Sequence, residues 1–177
     1  MMERKVRLKS LVTALLVLLA VNLIGGCGYR PVALRGPIAE ANGVNVTLFA
    51  NRSYRPGVEA ILARDLVDEF ALRSGGRVLP GGQARLELTG AVLSYANVPI
   101  SYTALDTIKE YKAVLSVQAV LREQQTQKVL WKGDLSEEQS YPVNDNIALQ
   151  QNAEEAAIAK VSRRLSERIW QKIGERF

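Results

Sequence analysis

From Lys112 to Arg122 the chain alternates residue by residue. Ala113, Leu115, Val117, Ala119 and Leu121 fall on one side, and Lys112, Ser116, Gln118 and Arg122 fall on the other, with Val114 and Val120 blurring the second side. A period of two is the spacing of an extended strand, whose successive side chains point to opposite faces, and it does not fit a helical stripe. The chain therefore needs a sheet, and something must cover the apolar face of that sheet. Two segments have the pattern to do so. After Pro56-Gly57, the residues Val58, Ile61, Leu62, Leu66, Val67 and Phe70 recur at helical spacing, with Glu59, Asp65, Asp68 and Glu69 largely off the stripe and Gly75-Gly76 ending it. Ile147 to Ile173 predicts a long second helix, lined on its buried side by Ala153, Ala157, Ile158, Val161, Leu165, Ile169 and Ile173, with Arg163 and Glu167 placed to pair on the wet side.

Other strands are expected around these helices. Val44, Val46 and Leu48 alternate with Asn45, Thr47 and Phe49 until Asn51-Arg52-Ser53 breaks the pattern; Arg77 to Leu79 is a short piece; Ala84 to Tyr95 alternates through Leu86, Leu88 and Val92. A last strand starts near Lys128 with Val129, Leu130 and Trp131, after a polar turn at Gln124 to Gln127, and Trp131 reads as core. Asp134 to Asn146 reads as a passage into polar turns. Asn97 to Thr107 is too long for a tight turn, so the hairpin it closes either carries a loop or extends beyond the sheet. The order β, α, β, β, β, β, α predicts an α/β protein of the α+β type: a two-layer sandwich, with a mixed β-sheet and two helices packed on one face.

The N-terminus is of another kind. Arg4, Lys5, Arg7 and Lys9 precede a Leu/Val-rich run from Leu11 to Ile24 that falls short of the ~20 apolar residues needed to span a bilayer, which is the make-up of a secretory signal. It ends in Leu23-Ile24-Gly25-Gly26-Cys27, similar to a bacterial lipobox, so residues 1–26 are expected to be the signal, Cys27 the lipidated residue and 27–42 a tether containing Pro31, Gly36 and Pro37. The lipid expected on Cys27 is an S-diacylglycerol plus an N-acyl chain such as palmitate; no other cofactor is expected. Gly28 stands where an Asp retains enteric lipoproteins in the inner membrane, and so points to the outer membrane.

Composition narrows function. The chain holds no His and a single Cys, which removes His-based acid–base catalysis, Cys/His metal sites and any internal disulfide. Glu137 and Glu138 are adjacent, and neighbours on an extended chain point to opposite faces, so they do not make a catalytic pair. Removing residues 1–26 takes four cations and one acid from the 23 and 18 of the full chain and leaves a net charge of +2. That is no field for nucleic acid, and no nucleic-acid partner is expected.

Several blocks together resemble the LptE family of lipopolysaccharide-assembly lipoproteins. They are Cys27-Gly28-Tyr29; Val46 to Glu59, reading VTLFANRSYRPGVE; Ala84 to Tyr95 followed by Pro99-Ile100-Ser101-Tyr102; Glu110-Tyr111-Lys112; Val129-Leu130-Trp131; and Glu154 to Ile158. The resemblance spans nearly the whole mature chain and implies an LptE-like domain over 43–177. It implies a non-enzymatic protein of the outer membrane that faces the periplasm and sits within the lumen of an LptD-type β-barrel, the pair delivering lipopolysaccharide to the outer leaflet. Basic residues of the family are thought to meet the anionic glycolipid, and a loop between two central strands is thought to reach into the barrel. Here Asn97 to Thr107 carries no Lys or Arg, a departure from that pattern. Lys109, Lys112 and Lys132 are the basic candidates, with solvated strand edges as their alternative reading. Tyr95, Ile100 and Tyr102 are the barrel-contact candidates, with packing on the domain's own surface as theirs. A pilotin-like lipoprotein serving a secretin is the alternative function.

Overall fold

The computed structural model describes residues 41–176. The signal, Cys27 and nearly all of the tether lie outside the described residues.

The elements run β1 (Val44–Val46), β2 (Ala50–Asn51), α1 (Val58–Ser74), β3 (Leu86–Tyr102), β4 (Ile108–Glu123), β5 (Val129–Pro142) and α2 (Ile147–Gly174). The sheet is mixed. β1 and β2 lie end to end along one side of β3, both parallel to it, while β3–β4 and β4–β5 are antiparallel. The expected α+β sandwich is what forms. Ala113, Leu115, Val117, Ala119 and Leu121 of β4 are all buried, in one core with Leu62, Leu66 and Phe70 of α1 and Ile158, Leu165 and Ile169 of α2. Phe70 and Trp170 lock the helices together edge to face at 5.0 Å. The far face of the sheet carries polar cross-strand pairs, Gln118 with Asp134 and Ser116 with Ser136.

Five expectations are corrected. Arg77 to Leu79 makes only an isolated bridge, Val78 to Val44. The first strand is broken, because after the Thr47 N–H donates to the Leu88 carbonyl at 3.0 Å the chain leaves the ladder at residues 48–49 and its parity flips. Phe49 is buried and Leu48 is 64% exposed, the reverse of the alternation expected. The Phe49 ring takes the space over Gly90 of β3, where a Cβ would come within 2.5 Å of it. The last strand does not end near Asp134; it runs to Pro142, its inner face filled by Trp131, Leu135 and Tyr141 and by the half-buried Glu137 and Gln139. Finally, Asp65 lies on the buried side of α1, beside Arg64 at 3.2 Å. On α2 the ion pairs run from Arg164 and Arg168 to Glu137 of β5 rather than between Arg163 and Glu167.

Candidate interaction site at the hairpin end

Of the two readings of Asn97 to Thr107, the extended hairpin is the one that forms. β3 and β4 stay paired to Tyr102 and Ile108, with register shifts at Pro99/Ser101 and Ser101/Tyr102 that twist the end. Only Thr103 to Thr107 remains as a turn, and it is tied shut. The Thr103 N–H donates to the Thr107 carbonyl at 2.8 Å, the two threonine hydroxyls meet at 2.7 Å, and Asp106 takes a left-handed φ of 57°. Below it the Ser101 hydroxyl donates to Glu110 at 3.0 Å.

This braced hairpin exposes apolar side chains. Val98, Ile100, Tyr102 and Leu105 are 44%, 40%, 57% and 86% exposed. The start of α2 lies at the same end, because β5 pairs with Glu110 at Pro142 and the Val143 N–H donates to the Lys109 carbonyl at 3.0 Å. Asn146 caps that helix, accepting from the N–H groups of Ala148 and Leu149, and its first turn exposes Ile147 and Leu149. Six of the twelve exposed large hydrophobic residues among the described residues thus gather at one end of the domain. A concentration of that kind marks a surface meant to be covered.

Beneath the hairpin is a layer that fixes it to the rest. The Tyr95 hydroxyl donates to Glu154 of α2 at 2.8 Å, and Arg55 lies 3.7 Å from the same carboxylate. Tyr54 packs on Tyr95 at 5.8 Å, and Tyr111 stacks on Tyr141 at 6.0 Å. Burial, then the hydrogen bond to Glu154, then its charge push the Tyr95 hydroxyl far above its ordinary value. Burial first, with the Glu154 charge behind it, raises Tyr141 to about 12. The Asn51 side chain builds the adjoining turn: its Nδ2 donates to the Arg55 carbonyl and to Glu59, and its Oδ1 accepts from the N–H and hydroxyl of Ser53.

The candidates read from the sequence divide accordingly. Ile100 and Tyr102 stand on the exposed end, while Tyr95 is buried and belongs to the bracing layer. The three lysines do not converge. Lys112 pairs with Glu138 at 2.9 Å on the uncovered face. Lys109, three positions away, is exposed at the register shift where β4 meets Ser101 and Tyr102. Lys112 lies opposite Ser140, and Lys132 is eight residues back along β5, roughly 26 Å away. Val98, Leu105, Ile147 and Leu149 were not singled out in the sequence. Their signal was present as apolar residues in or beside a turn, where no core can reach them.

The family model for LptE, lipopolysaccharide-assembly, matches residues 41–173. The chain belongs to the LptE family. Its fold is similar to several solved lipoproteins. One from Caulobacter crescentus has 14% identity and a TM-score of 0.54 over 72% of this chain and 88% of its own. The rare lipoprotein B of Shewanella oneidensis has 15% identity and a TM-score of 0.50 over 72% and 93%. Lipoprotein B of Nitrosomonas europaea has 15% identity and a TM-score of 0.53 over 84% and 90%. At these identities the likeness is one of fold. No curated protein sequence matches the chain significantly. Within this LptE-family domain, the elements that the family match spans include both the braced hairpin and the start of α2.

Proposed function

We propose that this LptE-family protein is a non-enzymatic outer-membrane lipoprotein, anchored through acyl and diacylglycerol chains on Cys27, that seats in an LptD-type barrel and assists the assembly of lipopolysaccharide. The observation that carries this reading is the braced apolar end. A hairpin held by its own turn and by Tyr95–Glu154 presents Ile100, Tyr102 and Leu105 with little conformational entropy left to lose on binding. Aromatic and aliphatic anchors on such a rigid element suit a protein wall. Lys109, exposed at the base of this end, is the lysine best placed for a glycolipid phosphate, since Lys112 is already engaged and Lys132 is remote.

The test is purification of the tagged, full chain from outer membranes in mild detergent. A stoichiometric large β-barrel together with lipopolysaccharide is the expected yield. Recovery of a secretin in its place would favour the pilotin-like alternative and overturn the reading.

A further inference from the structure

The described residues are divided by charge along the long axis of the domain. The end opposite the hairpin comprises residues 69–87, 120–134 and 168–176; these hold nine Lys or Arg against five Asp or Glu, a net of +4. The remainder of 41–176 holds eight against eleven, a net of −3. At the basic end Arg73, Arg85, Arg122 and Lys172 are balanced by acids of the same end. Among the described residues Lys128, Lys132 and Arg176, all exposed, enter no ion pair.

The chain enters the domain at this same end. The Val44 N–H donates to the Arg77 carbonyl at 3.0 Å, and the Leu86 N–H donates to the Gly43 carbonyl at 3.2 Å, so Ala41 to Gly43 lie beside the end of α1 and the start of β3. Cys27 is fourteen residues upstream of Ala41, at most about 50 Å of extended chain. The intervening Arg30 and Arg35 against Glu40 add one more positive charge.

We infer that in the partner-free protein the basic end rests on the anionic phospholipid headgroups of the leaflet that holds the anchor. The inference rests on the reading of Cys27 as that anchor. Two or more acyl chains already hold the protein firmly. The charge therefore sets orientation, because cations within a Debye length of about 8 Å of an anionic surface are drawn to it and acids are repelled. The apolar hairpin end is thereby turned away from its own leaflet and left free for a partner.

The experiment uses the full mature chain with Cys27→Ser, so that no lipid contributes, and vesicles of phosphatidylcholine with or without phosphatidylglycerol. Binding to the anionic vesicles alone is expected, with loss as salt rises from about 0.05 M to 0.5 M. The triple variant K128E/K132E/R176E should bind at least ~10-fold more weakly, with an unchanged circular dichroism spectrum, and Glu155→Lys near the hairpin end should not weaken binding. Equal binding to neutral vesicles, undiminished binding by the folded triple variant, or binding only to lipopolysaccharide aggregates would overturn the inference. The mass of Cys27 in the native protein is a separate readout: an unlipidated Cys27 alongside intact vesicle binding would remove the anchor and leave the surface standing.

Discussion

Gly90 shows how much a single residue can decide in this fold. A Cβ there would come 2.2 Å from the Gln118 carbonyl oxygen on β4 as well as against the Phe49 ring. Gly90→Ala is expected to destabilise the protein by roughly 1–3 kcal/mol, as overpacking does, read as a lowered urea midpoint at constant slope. Tyr95→Phe removes a part-buried hydrogen bond to a carboxylate and should cost about 1.5–3 kcal/mol in the same assay. These tyrosines also predict an alkaline limit. Tyr141 is raised from 10.0 to about 12, and Tyr95 is raised as well, so both bind their proton more tightly folded than unfolded. The stability they contribute is complete below pH 10 and is lost as pH climbs toward about 12. Urea midpoints measured across that window should fall, and the fall should be shallower in Y95F/Y141F. A flat profile in the parent protein would contradict the assignment.

At the level of elements, β4 and both helices were legible because their apolar residues keep one period throughout. β5 beyond Asp134 was not, for a physical reason. Its inner positions there include Glu137, held by Arg164 and Arg168 of α2, and the half-buried Gln139. Neither looks apolar in sequence, although both are core-side positions. The Arg164 guanidinium also donates to the Glu138 carbonyl, and that of Arg168 to the Ser136 carbonyl, so α2 occupies part of the outer edge of β5 and hinders strand addition there. Glu137→Ala should cost about 1 kcal/mol, the exposed guanidinium ends being well screened, and should speed amide exchange near Ser136. Glu138→Ala should leave both almost unchanged. The parity flip at Phe49 was hidden because the excursion of Leu48 and Phe49 depends on a gap made forty-one residues later, at Gly90. The candidate site was half legible: Ile100 and Tyr102 stood out as apolar residues in a predicted loop. Placing α2's first turn beside them required the pairing of β5 up to Pro142.

The domain of residues 41–176 has two unlike ends. One is apolar, braced and on the acidic side of the charge division; the other is basic and receives the chain from Cys27. An LptE-family domain built this way is expected to meet its partner with the hairpin. Ile100→Asp with Tyr102→Asp should therefore leave the thermal midpoint within about a degree or two, as exposed substitutions do, while abolishing copurification of the proposed barrel partner. The most direct test is a photocrosslinking residue placed singly at Tyr102 and at Lys132 in the full chain in living cells. An adduct with a large outer-membrane barrel from position 102, and none from 132, is the predicted result. Barrel adducts from 132 with none from 102 would contradict the account.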